Sequence, residues 1–306
     1  MTAPGIPNEY ALSTSCFGTR LGSIEDQIFA AVAMGFRRIE LGLSDAPPSM
    51  EGLEESQRET GVTIRSLVVG CRDPRSADLA CTRLGSLHTD ERERALNSVR
   101  RHIRLAETWG CQTVIVRGSR VEDVKLANEA RSLRSRIAHD EATPELQADI
   151  ASFVAKAQRV GHRQVEHLCR SLHTLMQECP QIRFAVEPGS EIDDLIGFEA
   201  MGWILDDLAA QGLGYWHDVG RIHLRELMGL PTQGQWLEAY SARMIGIHLQ
   251  DAAEEEAEIP LGLGEVDFRL VKSYVPRGIE RVLELNPRHG RAEVLASVQF
   301  LVDMGF

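Results

Sequence analysis

The fold of this chain is decided by four short apolar segments that each end in a side chain able to bind a metal ion. They are FAVE (184–187), YWHD (215–218), IGIH (245–248) and VLE (282–284). Their last residues, Glu187, Asp218, His248 and Glu284, are 31, 30 and 36 residues apart. That interval is about one strand, one loop and one covering helix, as in successive βα units of a barrel. The pattern therefore predicts four strands whose carboxyl ends bring three carboxylates and an imidazole to one place.

Four further β-branched or apolar runs precede these segments, and longer amphipathic stretches separate them. The predicted strands are 11–16, 36–41, 62–69, 113–117, 182–187, 213–218, 244–248 and 280–284. This alternation is typical of repeated βα units with a parallel sheet. We therefore expect residues 1–306 to form one α/β domain, a (β/α)8 TIM barrel.

Two of the helical stretches have recognisable ends. The first begins at Ser23, with acidic residues in its first turn, and ends at Gly35. Serine before a helix and glycine just after it are favoured because they satisfy unpaired backbone groups at the two ends. The second runs from Thr89 to Gly110, with one apolar stripe and a charged outer face. Both fit the outside of a barrel.

Long connections follow the third and fourth predicted strands, at 71–88 and 118–141, on the side where barrel active sites lie. We expect these two loops to form a lid. The second begins just after Arg117 and is rich in basic residues, which are Arg120, Lys125, Arg131, Arg134 and Arg136. Two interpretations stay open: a solvated helix of mixed charge, or a flap that binds the acid group of a phosphorylated or carboxylated substrate.

The overall charge limits the classes of partner. The formal net charge is −12, from 45 acidic and 33 basic residues, which repels phosphate backbones and argues against nucleic-acid binding. No apolar run approaches the roughly 20 residues of a membrane span, and the first ten residues lack a basic and apolar signal pattern. We expect a cytoplasmic protein with no membrane partner.

The four strand-end side chains favour one divalent cation. Carboxylates with one imidazole suit Mn²⁺ or Mg²⁺, and Zn²⁺ or Co²⁺ also accept such ligands. A six-coordinate ion held by four protein ligands keeps two positions for a carbonyl oxygen and the neighbouring hydroxyl of a sugar. Each residue alone has another explanation, as an ion pair, a helix cap or a hydrogen-bonded histidine. Their arrival at four consecutive strand ends favours metal binding.

Several motifs resemble those of the xylose isomerase-like TIM barrels, in the sugar phosphate isomerase/epimerase branch. They are GFRRIELG (35–42), AVEPG (185–189), HDVG (217–220), IHLQD (247–251) with PLGLGEVDF (260–268), and VLEL (282–285). The resemblance covers nearly the whole chain. It implies a metal bound by Glu187, Asp218, His248 and Glu284. It also implies that Glu187 and Glu284 remove and return a proton through a cis-enediolate, as in ketose 3-epimerases of that family.

The same resemblance suggests a small-molecule partner, a sugar or a sugar acid or phosphate, and a homo-oligomer. Asp251 matches an acidic residue that holds the histidine or a water, although a loop or capping role is equally open. Glu40 either lines the pocket or pairs with Arg37 or Arg38. His217 should point to the other face of its strand from Asp218, because side chains alternate along a strand.

One position departs from the family pattern. Many members carry histidine three residues after the aspartate of the sixth strand, whereas this chain has Arg221. Arginine binds no metal and moves no proton, but its planar fork suits a carboxylate or phosphate. We consider two roles: an ion pair with Glu254 or a neighbouring acid, and, together with Arg117, a contact to the acid group of the substrate.

Four functions are compatible with these residues. The first is a metal-dependent sugar isomerase or epimerase, and an inosose-type dehydratase is chemically close to it. An AP-endonuclease-like hydrolase needs several more metal-binding histidines, yet Gly70 or Cys71, Arg117 and Arg221 occupy the corresponding places. The last is a barrel that binds ligands without turnover.

Overall fold

The computed structural model describes residues 5–72, 83–139, 143–254 and 256–306. Within them the strands are β1 Tyr10–Ser13, β2 Arg38–Leu41, β3 Thr63–Val68, β4 Thr113–Arg117, β5 Arg183–Glu187, β6 Gly214–Asp218, β7 Met244–Leu249, β8 Asp251–Ala253, β9 Glu256–Ile259 and β10 Glu280–Leu283. The helices are α1 Ile24–Met34, α2 Leu53–Thr60, α3 Thr89–Thr108, α4 Val124–His139, α5 Pro144–Glu178, α6 Phe198–Asp207, α7 Val219–Leu227, α8 Gln233–Tyr240, α9 Phe268–Tyr274 and α10 Arg291–Asp303.

Eight of the strands form a closed parallel barrel in the order β1-β2-β3-β4-β5-β6-β7-β10, with β10 pairing back to β1. Helices lie between successive strands, so the predicted (β/α)8 TIM barrel is confirmed. All eight predicted strands are present. The first is shorter than expected, because the backbone turns into a 3-10 helix over Thr14–Arg20 after the Ser13 side chain accepts a hydrogen bond from the amide of Ser15.

The two additional strands, β8 and β9, pair with each other as a small antiparallel hairpin. The hairpin follows β7 directly, so it stands at the carboxyl end of the barrel. This is the end at which barrel enzymes place their active sites.

The predicted helix ends are confirmed at α1. The Ser23 side chain accepts a hydrogen bond from the amide of Asp26, and Gly35 adopts a left-handed conformation with φ 110°. The second predicted helix is α3, whose buried stripe includes Val99, Ile103 and Ala106.

The long connection predicted after β4 is mostly helical, because α4 occupies 124–139. Much of the connection predicted after β3 lies outside the described residues, at 73–82. None of the described helices combines the length and apolar character needed to cross a membrane.

Apolar side chains fill the inside of the barrel beneath its carboxyl end. This inner core consists of Ala11, Leu43, Val68, Ile115, Ala185, Trp216 and Val282. The ring of Trp216 packs 5.3 Å from that of His248, measured between ring centres. A dry floor of this kind strengthens the electrostatic interactions of the charged groups above it.

Candidate metal centre

The four predicted ligands meet at the carboxyl end of the barrel. One ligand atom from each of Glu187, Asp218, His248 and Glu284 lies within 4.8 Å of the others, and all four residues are buried. Strand register explains part of this, because Asp218 pairs with His248 across β6 and β7, and His248 pairs with Val282, two residues before Glu284. Side chains two residues apart share one face of a strand.

The imidazole of His248 lies between two sets of carboxylates. Its Nδ1 is 2.7 Å from Glu187 Oε1, 3.3 Å from Glu284 Oε2 and 3.7 Å from Asp218 Oδ2. Its Nε2 lies 3.0 Å from Glu40 Oε1, on the opposite side of the ring. Nδ1 therefore faces the other ligands, and Nε2 is left to donate to Glu40.

Glu40 is a fully buried member of the site. Its Oε2 accepts a hydrogen bond of 2.7 Å from the hydroxyl of Ser66, which stands beside it in the register of β2 and β3. The structure thus places Glu40 against His248, which agrees with the pocket-lining alternative and not with a pair to Arg37 or Arg38. Metal-binding histidines commonly donate their second N–H to a carboxylate, which fixes the ring and makes the other nitrogen a better ligand.

Two buried arginines contact the same carboxylates. Arg221 NH1 lies 3.1 Å from Glu187 Oε1, and its Nε lies 3.3 Å from Asp218 Oδ2. Arg117 Nε donates to Glu187 Oε2, and its NH2 is 3.5 Å from Glu284 Oε1. Arg117 is held there because it pairs with Glu187 in the register of β4 and β5. The acids that Arg221 contacts are the candidate metal ligands, and Glu254 is not among its ion-pair partners.

These contacts set the charge states of the site. Burial alone would raise the pKa of Glu187, but Arg117, Arg221 and His248 outweigh it and hold that pKa well below its usual range. The pKa of Glu284 is lowered by the same three cations against the same effect of burial. Burial would lower the pKa of His248, but the surrounding carboxylates raise it well above its usual value. For Asp218, burial dominates and the pKa is raised.

The donor atoms fit a divalent cation. Both oxygens of Glu284 and Oδ2 of Asp218 are buried and accept no hydrogen bond within the described residues. The guanidiniums of Arg117 and Arg221 lie 3.3–3.9 Å from these oxygens without a hydrogen bond, so the oxygens can still coordinate a cation directly. The site contains four carboxylates and two guanidiniums, so it has two excess negative charges when His248 is neutral. A divalent ion would balance them. The carboxylates are those of Glu40, Glu187, Asp218 and Glu284, and the guanidiniums are those of Arg117 and Arg221.

Sequence reasoning missed Gln250, which contacts a candidate ligand, and Glu258, which contacts Gln250. Gln250 Nε2 donates to Asp218 Oδ1 at 3.0 Å, and its Oε1 accepts from the amide of Glu258 at 2.7 Å. Gln250 stands two residues after His248, so strand alternation could have identified it. No such signal in the sequence pointed to Glu258. Its backbone adopts a left-handed conformation with φ 61°, which is uncommon for residues other than glycine and is therefore not expected at a glutamate. The carbonyl of Glu258 is held in turn by the amide of Asn286.

Asp251 organises a loop. Its Oδ1 accepts from the amides of Ala252 and Val266 at 2.9 and 3.1 Å. Its Oδ2 accepts from the amides of Gly262 and Gly264 at 2.9 and 3.0 Å. Four backbone donors account for both oxygens, as expected from the loop alternative. These bonds hold the segment 260–268 over the barrel.

Two of the four lysines and arginines of α4, Arg134 and Arg136, form ion pairs. Arg134 NH1 lies 3.1 Å from Glu191 and 2.8 Å from Asp193, both in the loop after β5. Arg136 pairs with Asp149 of α5 at 2.7 Å. This arrangement matches the interpretation of a mixed-charge helix, and the pairs of Arg134 tie α4 to the loop after a ligand-bearing strand.

His217 points away from the ligands, as predicted. Its Nδ1 lies 2.7 Å from the hydroxyl of Tyr215, and both rings are buried. Burial lowers the pKa of His217 to about 3. The imidazole is therefore neutral near pH 7 and belongs to the packing between the barrel and its helices.

Comparisons with known proteins support the fold. The sequence matches no protein-family model, and a search of curated proteins gives no match. A tagatose 3-epimerase-like protein superimposes with a TM-score of 0.64 and 13% identity over 96% of each chain. IolI protein with a bound zinc atom gives 0.61 and 11%, again over 96% of each chain. An AP endonuclease of family 2 from Brucella melitensis gives 0.61 and 13%, over 96% of this chain and 98% of that one.

These structures are xylose isomerase-like TIM barrels, so the chain has the fold that its motifs predicted. At 11–13% identity the likeness concerns the fold, and the case for a function depends on the residues of the site.

Proposed function

We propose that this protein is a metal-dependent isomerase or epimerase of a sugar or sugar-derived hydroxyketone. The observation that carries the proposal is the placement of Glu187 and Glu284 within one compact set of donors that also includes Asp218 and His248. These four side chains would hold one divalent cation. When bound, such an ion polarises a carbonyl group and acidifies the neighbouring C–H bond.

The protein's own groups then have distinct roles. We assign removal of the proton to the Glu187 carboxylate and its return to Glu284. Arg117 and Arg221 keep the Glu187 carboxylate ionised at neutral pH, the form that accepts a proton. Glu284 returns a proton that it takes up from solvent, and Glu187 afterwards releases the abstracted proton to solvent. Glu40 fixes the ring of His248 through Nε2. The buried floor formed by Trp216 and its neighbours excludes water from the reacting carbon.

The two arginines suit an acid group on the substrate. Each arginine is more than nine-tenths buried as a residue and has several N–H donors directed at the carboxylates of the site. A carboxylate or phosphate that enters between them can accept some of those donors in a bidentate manner. We therefore favour a sugar acid or sugar phosphate over an uncharged sugar.

The structural neighbours lend support through their names, a tagatose 3-epimerase-like protein and a zinc-containing IolI protein. An AP-endonuclease-like reaction has less support, although such a protein shares the fold. In the described part of the chain, only one group of three or more potential ligands could hold a metal ion. The net charge of −12 also disfavours DNA as a substrate.

The decisive experiment measures exchange of the α-proton. Protein stripped with a chelator and reloaded with Mn²⁺ is incubated with a panel of ketoses, keto acids and ketose phosphates in deuterated buffer, and deuterium incorporation is followed by mass spectrometry. We expect exchange for at least one compound and its loss in both Glu187→Gln and Glu284→Gln. Glu280→Gln is the matched control, because Glu280 is a buried β10 carboxylate paired with Arg65 outside the metal centre.

Three other outcomes would redirect the assignment. Exchange followed by a loss of 18 mass units would identify a dehydratase, since water then leaves after the proton. Cleavage of DNA containing an abasic site would favour the endonuclease. Metal binding without exchange across the whole panel would indicate a barrel that binds but does not turn over.

A further inference from the structure

A cleft of about 500 Å³ opens beside the metal centre. Its walls come from the loop after β5, from α7, from the hairpin region after β7 and from the facing parts of α4 and α5. The apolar lining includes Leu146, Ile150, Ile192, Leu224, Leu227 and Met228. None of the four candidate ligands lines it.

The cleft lies close to the candidate metal centre along α7. Asp218 caps this helix, and Arg221 lies in its first turn. Leu224 and Met228 follow Arg221 by three and seven residues, so they extend the same helical face. One helical turn is about 5.4 Å, and the cleft therefore begins about that far from the Arg221 position.

Two other walls of the cleft belong to segments that follow a candidate ligand in the sequence. Ile192 stands five residues after Glu187, and Glu254 stands six residues after His248. Segments that follow three of the four candidate ligands thus contribute to the walls of the cleft.

Three of the six polar residues that line the cleft form ion pairs within the protein. Arg134 and Glu191 lie 3.1 Å apart, and Glu265 lies 3.8 Å from His223. These pairs leave an aliphatic surface as the main feature that a ligand meets. Leu224 and Met228 are half-buried, and Leu227 is 36% exposed, so the surface is accessible.

We infer that the substrate carries an apolar substituent of several carbons, and that this substituent lies in the cleft while the oxygen-bearing carbons lie at the metal centre. The inference rests on the proposed function for the position of the reacting end. Pockets of 300–1,000 Å³ with mostly apolar walls are typical of small-molecule sites. A simple sugar whose reacting carbons are held at the ligands would leave this neighbouring volume to water.

The test uses two hydroxyketones with the same reacting end. Hydroxyacetone and 1-hydroxyoctan-2-one both present a carbonyl beside a hydroxyl, and the second adds five methylenes. Each fully buried methylene strengthens binding about fourfold. By calorimetry on the Mg²⁺-loaded protein we therefore expect the longer compound to bind at least about tenfold more tightly.

Two variants assign that gain to the cleft. Met228→Glu places a charge in the aliphatic wall, and Leu227→Trp fills the space from an exposed position that tolerates a larger side chain. Both should reduce the preference for the longer compound to less than about threefold. Val302→Glu is the matched control, because Val302 is 42% exposed on α10 and does not line the cleft. It should keep the full preference.

The outcomes separate the cleft from the proposed reaction. Exchange of the protons beside the carbonyl is measured on the same samples. Chain-length preference without exchange would leave the cleft assignment standing and remove the isomerase proposal. Exchange with equal affinity for both compounds would overturn the cleft assignment alone. A change in sedimentation coefficient caused by Met228→Glu would also overturn it, since the surface would then be a contact between two copies of the chain.

Discussion

A single buried carboxylate decides how the histidine of the metal centre is oriented. Glu40 contacts Nε2 of His248 and leaves Nδ1 toward Glu187, Asp218 and Glu284. An amide in place of this carboxylate keeps the shape but removes the charge that strengthens the imidazole as a ligand. At the scale of one residue, we therefore expect Glu40 to control the affinity of this site for metal.

We predict that Glu40→Gln weakens Mn²⁺ binding by about 10- to 100-fold, the usual effect of losing such a partner. Competition with a fluorescent chelator measures the dissociation constant. Glu280→Gln removes a buried carboxylate from the opposite end of β10 and should leave the constant unchanged. Equal weakening in both variants would point to a general loss of structure and would refute the role of Glu40.

Arg221 is the residue at which this site departs from the histidine-containing pattern that its other motifs resemble. If it contacts an acid group, Arg221→Gln should reduce the preference for fructose 6-phosphate over fructose at least tenfold, because a hydrogen bond between charged groups contributes about 1.5–3 kcal/mol. Calorimetric titration of both sugars provides the ratio. Arg120→Gln, at a side chain that is 45% exposed and pairs with Glu191, should preserve it. An unchanged ratio for Arg221→Gln would restrict this residue to a structural ion pair.

At the scale of elements, helix ends and strand positions could be predicted with good accuracy. Ser23 and Gly35 close α1 as expected, because caps are local and need no knowledge of the rest of the fold. The end of β1 could not be predicted. The run 11–16, ALSTSC, contains no glycine or proline that would mark a strand end, and the hydrogen bond from the amide of Ser15 to the Ser13 side chain shows that the strand has ended.

The contact between β6 and β7 depends on a glycine, Gly246, at a position with no room for a side chain. A Cβ atom at Gly246 would lie 2.0 Å from Cζ3 of Trp216, the residue that supports His248 inside the barrel. We predict that Gly246→Ala lowers the free energy of unfolding by about 1–3 kcal/mol, the usual cost of overpacking a core. Urea denaturation measures the change.

The same experiment has a control within α8. At Gly234 the nearest atoms to an added Cβ lie at 3.7 and 3.8 Å, which is ordinary contact. Gly234→Ala should be neutral or slightly stabilising, because alanine favours helices. Similar losses in both variants would contradict the role assigned to the Trp216 contact.

At the scale of the whole molecule, the meeting of the four candidate ligands could be predicted, since a closed barrel brings its strand ends together whatever the details of its loops. Other members of the site depend on closure itself. Glu40 on β2 and His248 on β7 are separated in the barrel by β1 and β10, so their contact crosses the interior and has no local signal. The left-handed backbone of Glu258 likewise follows from contacts to Gln250 and Asn286 that only the folded chain supplies.

The barrel as a whole should lose stability in mild acid through His217. Its pKa is lowered to about 3 in the folded protein, against 6.5 for an ordinary histidine. Above pH 6.5 the imidazole is neutral in both states, and its contribution to stability is complete. As the pH falls from 6.5 toward 3, the unfolded chain binds the proton first, and stability is lost. Between pH 7 and 5 this loss amounts to about 2 kcal/mol.

We therefore predict that, between pH 7 and pH 5, the free energy of unfolding falls by about 2 kcal/mol less in His217→Gln than in the wild type. Urea denaturation at both pH values, with a chelator present to remove effects of metal binding, measures the difference. His173→Gln is the matched control, because His173 is exposed on α5 and should keep the wild-type slope. A His217→Gln variant with that same slope would show that protonation of this buried imidazole does not govern the acid sensitivity of the barrel.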